Sequence, residues 1–368
     1  GAYEGPDQAI LLSVRSLAVP EGSTAQFTVA LAMDPMGPVE VNVASDLADG
    51  DITVDSGAML SFDSADYNVP QIVTLAAQED PDRFTGAAKI RITAPGFTAA
   101  GLLALEDENE PYPDTLLVDK RAGGTGDGAS WQNAFTDLEA AITEANAVPE
   151  IKNVWVAQGT YTPAPRSGDR AASFRLVNGV TIMGGYAGLS ESDPDERDTS
   201  LYRPILSGDL NGDDSRPIDP CDLIIDSARS ENGYHVVTAS DCNHTAVIDG
   251  FTITGGNADG TEYQDQRGGG IYEGCPTVSD CIITANTASN SGGGVSGAYY
   301  SIEAGVVRNS TISRNAAGSV GGIEFTRIEN CIVRENRATV HGSGAAVITF
   351  AADCTFENNS TVGSGGVM

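Results

Sequence analysis

Asp280-Cys281-Ile282-Ile283-Thr284-Ala285-Asn286 is the first of four copies of one short pattern. The others are Asn309-Ser310-Thr311-Ile312-Ser313-Arg314-Asn315, Asn330-Cys331-Ile332-Val333-Arg334-Glu335-Asn336 and Asp353-Cys354-Thr355-Phe356-Glu357-Asn358-Asn359. Each is a polar residue, a small Cys or Ser, a β-prone run, and an Asn five positions after the Cys or Ser. Glycine clusters at 268–270, 292–294, 321–322 and 365–366 separate them. Successive Cys/Ser positions are 29, 21 and 23 residues apart. A drifting period in the low twenties fits one coil of a parallel β-helix, whereas helical repeats usually run longer. Equivalent positions in such a fold stack about 4.8 Å apart. Cys281, Ser310, Cys331 and Cys354 are therefore expected to form an internal ladder of small side chains. Asn286, Asn315, Asn336 and Asn359 are expected to form a second, bonding turn backbone and one another along the axis.

Composition bounds the rest. Forty-three glycines and 6 % aromatic residues suit a fold of many tight turns. Hydrophobic content of 40 % argues for a folded chain. The net charge of −31 repels phosphate backbones and anionic membrane surfaces, so no nucleic-acid partner is expected. Calcium ligation, saline surroundings and plain solvation compete to explain the acidity, and solvation must account for most of the 51 carboxylates. No apolar run approaches the about 20 residues needed to span a bilayer, so no membrane span is expected. Gly1 reads as a processed start, and Gly365-Gly366-Val367-Met368 stops inside what should be another coil. The chain is thus expected to belong to a longer secreted protein. Cys221 and Cys242 lie outside the ladder and are the leading disulfide candidates, with Cys275–Cys281 as another pairing. No CxxC pair suggests zinc.

Residues 1–110 read as an all-β domain, 111–114 as an acidic, proline-bearing linker and 115–368 as the solenoid. Alternation in Thr24–Leu31, Val39–Val43, Gln71–Leu75 and Lys89–Thr93 predicts an antiparallel sandwich. One helix is predicted over 130–148, N-capped by Ser130, with Trp131, Phe135, Leu138, Ile142 and Ala145 on one face. Its expected role is to cap the N-terminal end of the solenoid, where open sheet edges would recruit other chains. Short strands recur from Asn153 onward, Ile205-Leu206 among them, and 190–226 reads as a polar surface excursion.

Residues 9–106 resemble the Calx-β family. The likeness rests on Val19-Pro20-Glu21-Gly22, Ser64-Ala65-Asp66-Tyr67, Gln78-Glu79-Asp80-Pro81-Asp82 and Leu105-Glu106-Asp107-Glu108. In that family acids from these places meet at one tip of the sandwich and bind Ca2+. The resemblance implies Glu21, Asp66, Glu79, Asp80, Asp107 and Glu108 as candidate ligands. Residues 115–368 resemble bacterial secreted right-handed parallel β-helix proteins of the pectate-lyase-like superfamily. The likeness is carried by Gly126–Trp131, Val154–Tyr161, Val180–Tyr186, Ile205–Asp209 and Ile248–Asn257. It implies a secreted or surface scaffold, with catalysis in only some branches.

Asp209-Leu210-Asn211-Gly212-Asp213-Asp214 opens like a calcium loop. An EF-hand needs a bidentate Glu at position twelve, which here is Pro220, so Asp209, Asn211 and Asp213 suggest a smaller calcium turn or a solvated Asx-rich turn. Polysaccharide lyases and hydrolases would need clustered Asp with Arg or Lys across successive coils; the coils instead carry Ile, Val, Thr, Gly and Asn. His235, His244 and His341 sit in no metal pattern. The expected function is a non-enzymatic extracellular structural, surface or matrix protein of bacterial origin. Its expected partners are glycans, matrix or copies of itself, added head to tail as a filament. The alternative is a polysaccharide lyase or hydrolase, or a glycan-binding module whose nearest aromatic set is Tyr263, Tyr272, Tyr299 and Tyr300.

Overall fold

The computed structural model describes residues 8–48, 50–79, 85–109, 113–163, 168–214, 219–298, 305–340, 342 and 346–362. Asp80, Tyr299, Tyr300 and His341 lie outside this set. The chain is mostly β and divides into two compact units, 1–111 and 112–368.

The first unit places two sheets over one core. One sheet orders Ile10–Leu12, Thr24–Leu31, Gln71–Ala77 and Ile52–Ser56. The other orders Ser16–Pro20, Ala100–Asp107, Ala87–Thr93, Val39–Ala48 and Met59–Phe62. Alternation decides the faces: Ala88, Ile90 and Ile92 point inward while Lys89 and Arg91 stay exposed. Phe27, Val29, Val73 and Leu75 from one sheet meet Val41, Val43, Ile90 and Leu102 from the other. All strand pairings of this unit are antiparallel except Ser16–Pro20, which runs parallel to Ala100–Asp107, beside an isolated parallel bridge of Ala9 with Thr98.

The second unit is built from four parallel sheets of eight, seven, six and five strands. Each turn of the chain adds one strand to each sheet once the five-stranded sheet begins at Asn257–Ala258. The register sets one β-branched apolar residue on another a turn later: Ile248 on Val278, Val307 and Ile328, and Ile253 on Ile283, Ile312 and Val333. These columns fill the interior.

Two bends shape every turn. Asp280, Asn309, Asn330 and Asp353, the polar residues that open the repeated pattern, adopt φ of 50°, 51°, 49° and 53°. Asx residues tolerate this left-handed conformation better than other residues bearing a Cβ. The second bend, immediately before each ladder Asn, holds Ala285, Arg314, Glu335 and Asn358 at φ of 54–56°.

The asparagine ladder forms. The side-chain carbonyls of Asn315, Asn336 and Asn359 each accept from the backbone N–H and the side-chain amide of the Asn one turn earlier, while that of Asn286 accepts the Gly256 N–H. The distances are 3.0 and 3.1 Å from Asn286 to Asn315, and 3.0 Å for both bonds from Asn315 to Asn336 and from Asn336 to Asn359. The amide also donates to the preceding turn, as from Asn315 to the Ile283 carbonyl at 3.0 Å. At the Cys/Ser positions the Cys281 N–H donates to Ser310 Oγ at 3.0 Å and the Cys331 N–H to Cys354 Sγ at 3.5 Å.

Three expectations change. The helix spans Leu138–Ala147 and is capped by Asp137, whose side chain accepts the Glu139 N–H at 3.0 Å. Residues 130–137 cannot be helical because the Phe135 amide donates to the Leu117 carbonyl, and the Phe135 carbonyl accepts from Asp119, both at 2.9 Å. Ser130 only closes a turn with Asn133. The buried face is Leu138, Ala141, Ile142 and Ala145, packed with Leu116, Val118 and Val154 where the coils begin.

The 190–226 segment is not one loop. Ile205–Ser207 is a strand of the seven-stranded sheet, and the flanking stretches are pinned to the coils by arginine. Arg197 reaches the Gly184 carbonyl and Asp249, and Arg203 reaches Asp280. Its polarity is spent on these pairs as well as on water.

Cys221 and Cys242 are not bonded, and none of the six cysteines is in a disulfide. Cys242 is buried in the core with its thiol donating to the Leu176 carbonyl at 3.2 Å, whereas Cys221 sits beside Asp219 at the start of the Asp222–Ile225 turn.

His235 gives a pH prediction. Its buried ring stacks on Tyr272 at 4.5 Å, and Nδ1 lies 3.0 Å from the Gly268 carbonyl, so Nδ1 carries the proton and donates. Burial pushes its pKa down to about 4 against the supporting pull of that hydrogen bond. The unfolded imidazole titrates near 6.5. Stability from this residue is therefore complete above pH 6.5 and falls toward pH 4, by up to about 1.4 kcal/mol per pH unit. Urea midpoints of wild type and His235→Asn between pH 7 and 4 should diverge accordingly; parallel curves would refute this assignment.

Candidate metal centre

Among the described residues, one set of three acidic, His or Cys side chains brings its ligand atoms within 4.8 Å of one another: Asp209, Asp213 and Glu231. The chain leaves the strand Ile205–Ser207 and turns at once. Asp209 organises that turn by accepting the Gly212 and Asp213 amides at 2.6 and 3.2 Å on Oδ1 and the Asp214 amide at 3.1 Å on Oδ2. Gly212, at φ +78°, supplies the left-handed step the turn requires. Asn211 enters through its backbone, donating to Glu231 Oε1 at 3.2 Å. Glu231 arrives from the far end of the excursion, at the close of the short helix Ser227–Glu231.

Behind the acids lies a buried network. Asp214 Oδ2 accepts from Arg229 Nη1 at 2.7 Å and Asn232 Nδ2 at 2.9 Å. Arg229 Nη2 then donates to the Gly256 and Ala285 carbonyls at 2.9 and 3.2 Å, on two successive turns of the coil. Burial pushes the Asp214 carboxyl up while Arg229 holds it down. Burial also raises Glu231, and the charges of Asp209, Asp214 and Asp213 add to the effect. Glu231 Oε2, Asp214 Oδ1 and Asn232 Oδ1 are buried oxygens with no hydrogen-bond partner. Converging carboxylates, mutual repulsion and orphaned oxygens together suit a hard cation that takes about six to eight oxygens.

The sandwich candidates divide. Glu21, Glu79, Asp107 and Glu108 lie at one end, where Thr24 pairs with Ala76 and Pro20 with Asp107. There the Asn109 backbone N–H donates to Glu21 Oε2 at 3.4 Å and its side-chain amide to Glu79 Oε2 at 3.3 Å, so one residue bridges two carboxylates. Asp66 does not join them. It accepts the Asp63 amide at 2.7 Å in a turn beside Tyr67, whose carbonyl accepts from Leu31 at the far end of the same strand. The eight-residue strand Thr24–Leu31 separates the two ends by roughly 23 Å. Sequence reasoning missed Glu231 because an EF-hand spacing directs attention to Pro220; only the fold brings residue 231 back to 209.

No protein-family model and no curated protein matches the chain. Among solved structures it is similar to the E. coli chaperone DraB, at 10 % identity over 27 % of this chain and 55 % of that one, with a TM-score of 0.21. The YadV chaperone gives 11 % identity over 28 % of this chain and 55 % of that one, again at 0.21. A Bacteroides ovatus GH5 xyloglucanase gives 12 % over 42 % and 37 %, also at 0.21. The chain spans about half the length of the two chaperones. Likenesses this slight carry no argument about fold or function.

Beside the acidic cluster a cleft of about 740 Å3 runs over the seven-stranded sheet. Thr160, Ser207, Thr252 and Thr254 lie on its floor, and Asp214 and Arg229 in its wall. No described helix is long and apolar enough to cross a membrane.

Proposed function

We propose that this chain is a non-enzymatic structural component outside the bacterial cell: a secreted right-handed parallel β-helix scaffold that carries a Calx-β-like sandwich and uses Ca2+ as a clamp. The observation that supports it above all is the asparagine ladder. Four turns of the chain commit their buried hydrogen bonds to neighbours along the axis. That arrangement resists bending and local opening, which is what a surface or matrix element requires. Other matrix components, glycans or further copies of the chain are the partners that suit it. Labelling intact source cells with antibodies against the chain tests the placement. Surface labelling is expected, and labelling only after lysis would overturn it.

Calcium fits the reading at one place. Asp209, Asp213 and Glu231 would hold it, and the ion would tie the two ends of the 208–232 excursion together. Binding to the folded state alone stabilises by about 2.7 kcal/mol at a hundredfold excess over Kd. Millimolar Ca2+ is therefore expected to raise the unfolding midpoint. Glu231→Gln should abolish most of that rise, while Asp66→Asn should leave it intact. A wild-type midpoint indifferent to Ca2+ would remove the clamp and leave the scaffold reading standing.

A further inference from the structure

We propose that Cys331 and Cys354 are a modification site, closed into a disulfide between consecutive turns by exchange with a small-molecule disulfide. The two residues hold the same corner of successive turns, each immediately before strands in register, with Ile332 on Thr355. In-register neighbours of this kind have Cα atoms about 4.8 Å apart, inside the roughly 4.4–6.8 Å range of disulfides. The Cys354 sulfur lies against the Cys331 backbone, accepting its N–H at 3.5 Å. Rotation of the Cys331 thiol away from the Val307 and Glu329 carbonyls, and of the Cys354 thiol from that of Ala352, would bring the two sulfurs together. Cys331 is buried, while Cys354 is partly exposed and can be reached from solvent.

The other cysteines lack this arrangement. Cys281 stacks on Ser310, which offers no thiol. Cys242 and Cys275 are linked through backbone, but both are buried, so neither offers a partly exposed sulfur to the reagent. Cys221 lies in the excursion, beside Asp219.

The chemistry balances. Cys354 as thiolate attacks one sulfur of the reagent disulfide, whose S–S bond breaks and releases one thiol. Cys331 as thiolate then attacks the Cys354 sulfur and releases the second thiol. Two protein thiols are oxidised and one reagent disulfide is reduced to two thiols. Burial holds the Cys331 thiol up at about 11, so the second step should quicken as pH rises.

The test incubates the full, native chain with excess oxidised glutathione at mildly alkaline pH and follows it by mass spectrometry. The expected product has lost two hydrogens, carries no glutathione, and yields a non-reduced peptide joining Cys331 to Cys354. The thiol count after denaturation should fall by two from the six free cysteines. Cys331→Ser should instead trap one glutathione on Cys354. A persistent glutathione adduct on Cys354 of the unmutated chain would overturn the proposal, as would an unchanged mass in both proteins.

Discussion

Arg229→Leu is expected to destabilise the 112–368 unit by about 3–5 kcal/mol, the cost of breaking a buried ion pair by removing one partner. Arg229 is 1 % exposed and joins an acid of the excursion to carbonyls of two successive turns. Its loss leaves Asp214 charged in a desolvated site and removes a donor from the Ala285 carbonyl, while the Gly256 carbonyl keeps the Thr287 N–H at 2.8 Å. A double substitution with Asp214→Leu should cost much less than the sum of the singles, because it removes the uncompensated charge. Urea denaturation followed by circular dichroism measures both. A loss below about 1 kcal/mol for the single variant would mean that water relieves the site, contrary to the burial described.

Asn315→Ala is expected to cost about 3 kcal/mol or more, although no apolar core residue is touched. Its removal deprives the Asn286 N–H of its acceptor and takes one donor from the Ile283 carbonyl in a fully buried column. Each orphaned group costs about 1–3 kcal/mol. Asn315→Asp preserves shape but turns the donor side of the amide into an acceptor facing the Ile283 and Asn336 oxygens. It should therefore be worse than alanine at neutral pH and recover partly on acidification, as the carboxyl regains a proton to donate. Equal midpoints for the two variants at neutral pH would show that packing, not hydrogen bonding, holds the column.

The parts of this architecture written locally were legible. The spacings of 29, 21 and 23 residues reappear as the register steps from Ile282 to Thr311, Ile332 and Thr355. The ladder asparagines were identifiable because stacking repeats one side chain at one position. The polar residue opening each pattern was visible too, although its left-handed backbone was not. What escaped was settled at long range. Ser130 looks like a helix cap until Phe135 bridges to the strand at Val118. Asp66 looks like a partner of Glu21 until the pairing of Thr24 with Ala76 places it at the other pole. Glu231 has no local mark at all.

The unequal turn lengths solve a problem that the ladders create. An asparagine column offers the same bonds at every level, so a strand docked one level too far would satisfy it almost as well. Identical turns would make such slipped arrangements nearly degenerate with the native one. The segment joining the Asn286 turn to the Asn315 turn is eight residues longer than that joining Asn315 to Asn336, as the 29- and 21-residue spacings show. A slipped chain would have to stretch a short connection across a gap sized for a long one, or bury surplus backbone without partners. The irregular connections thus act as a key that fits one assembly order. Equalising them is expected to leave each bond of the native column intact while lowering the yield of correctly refolded chain.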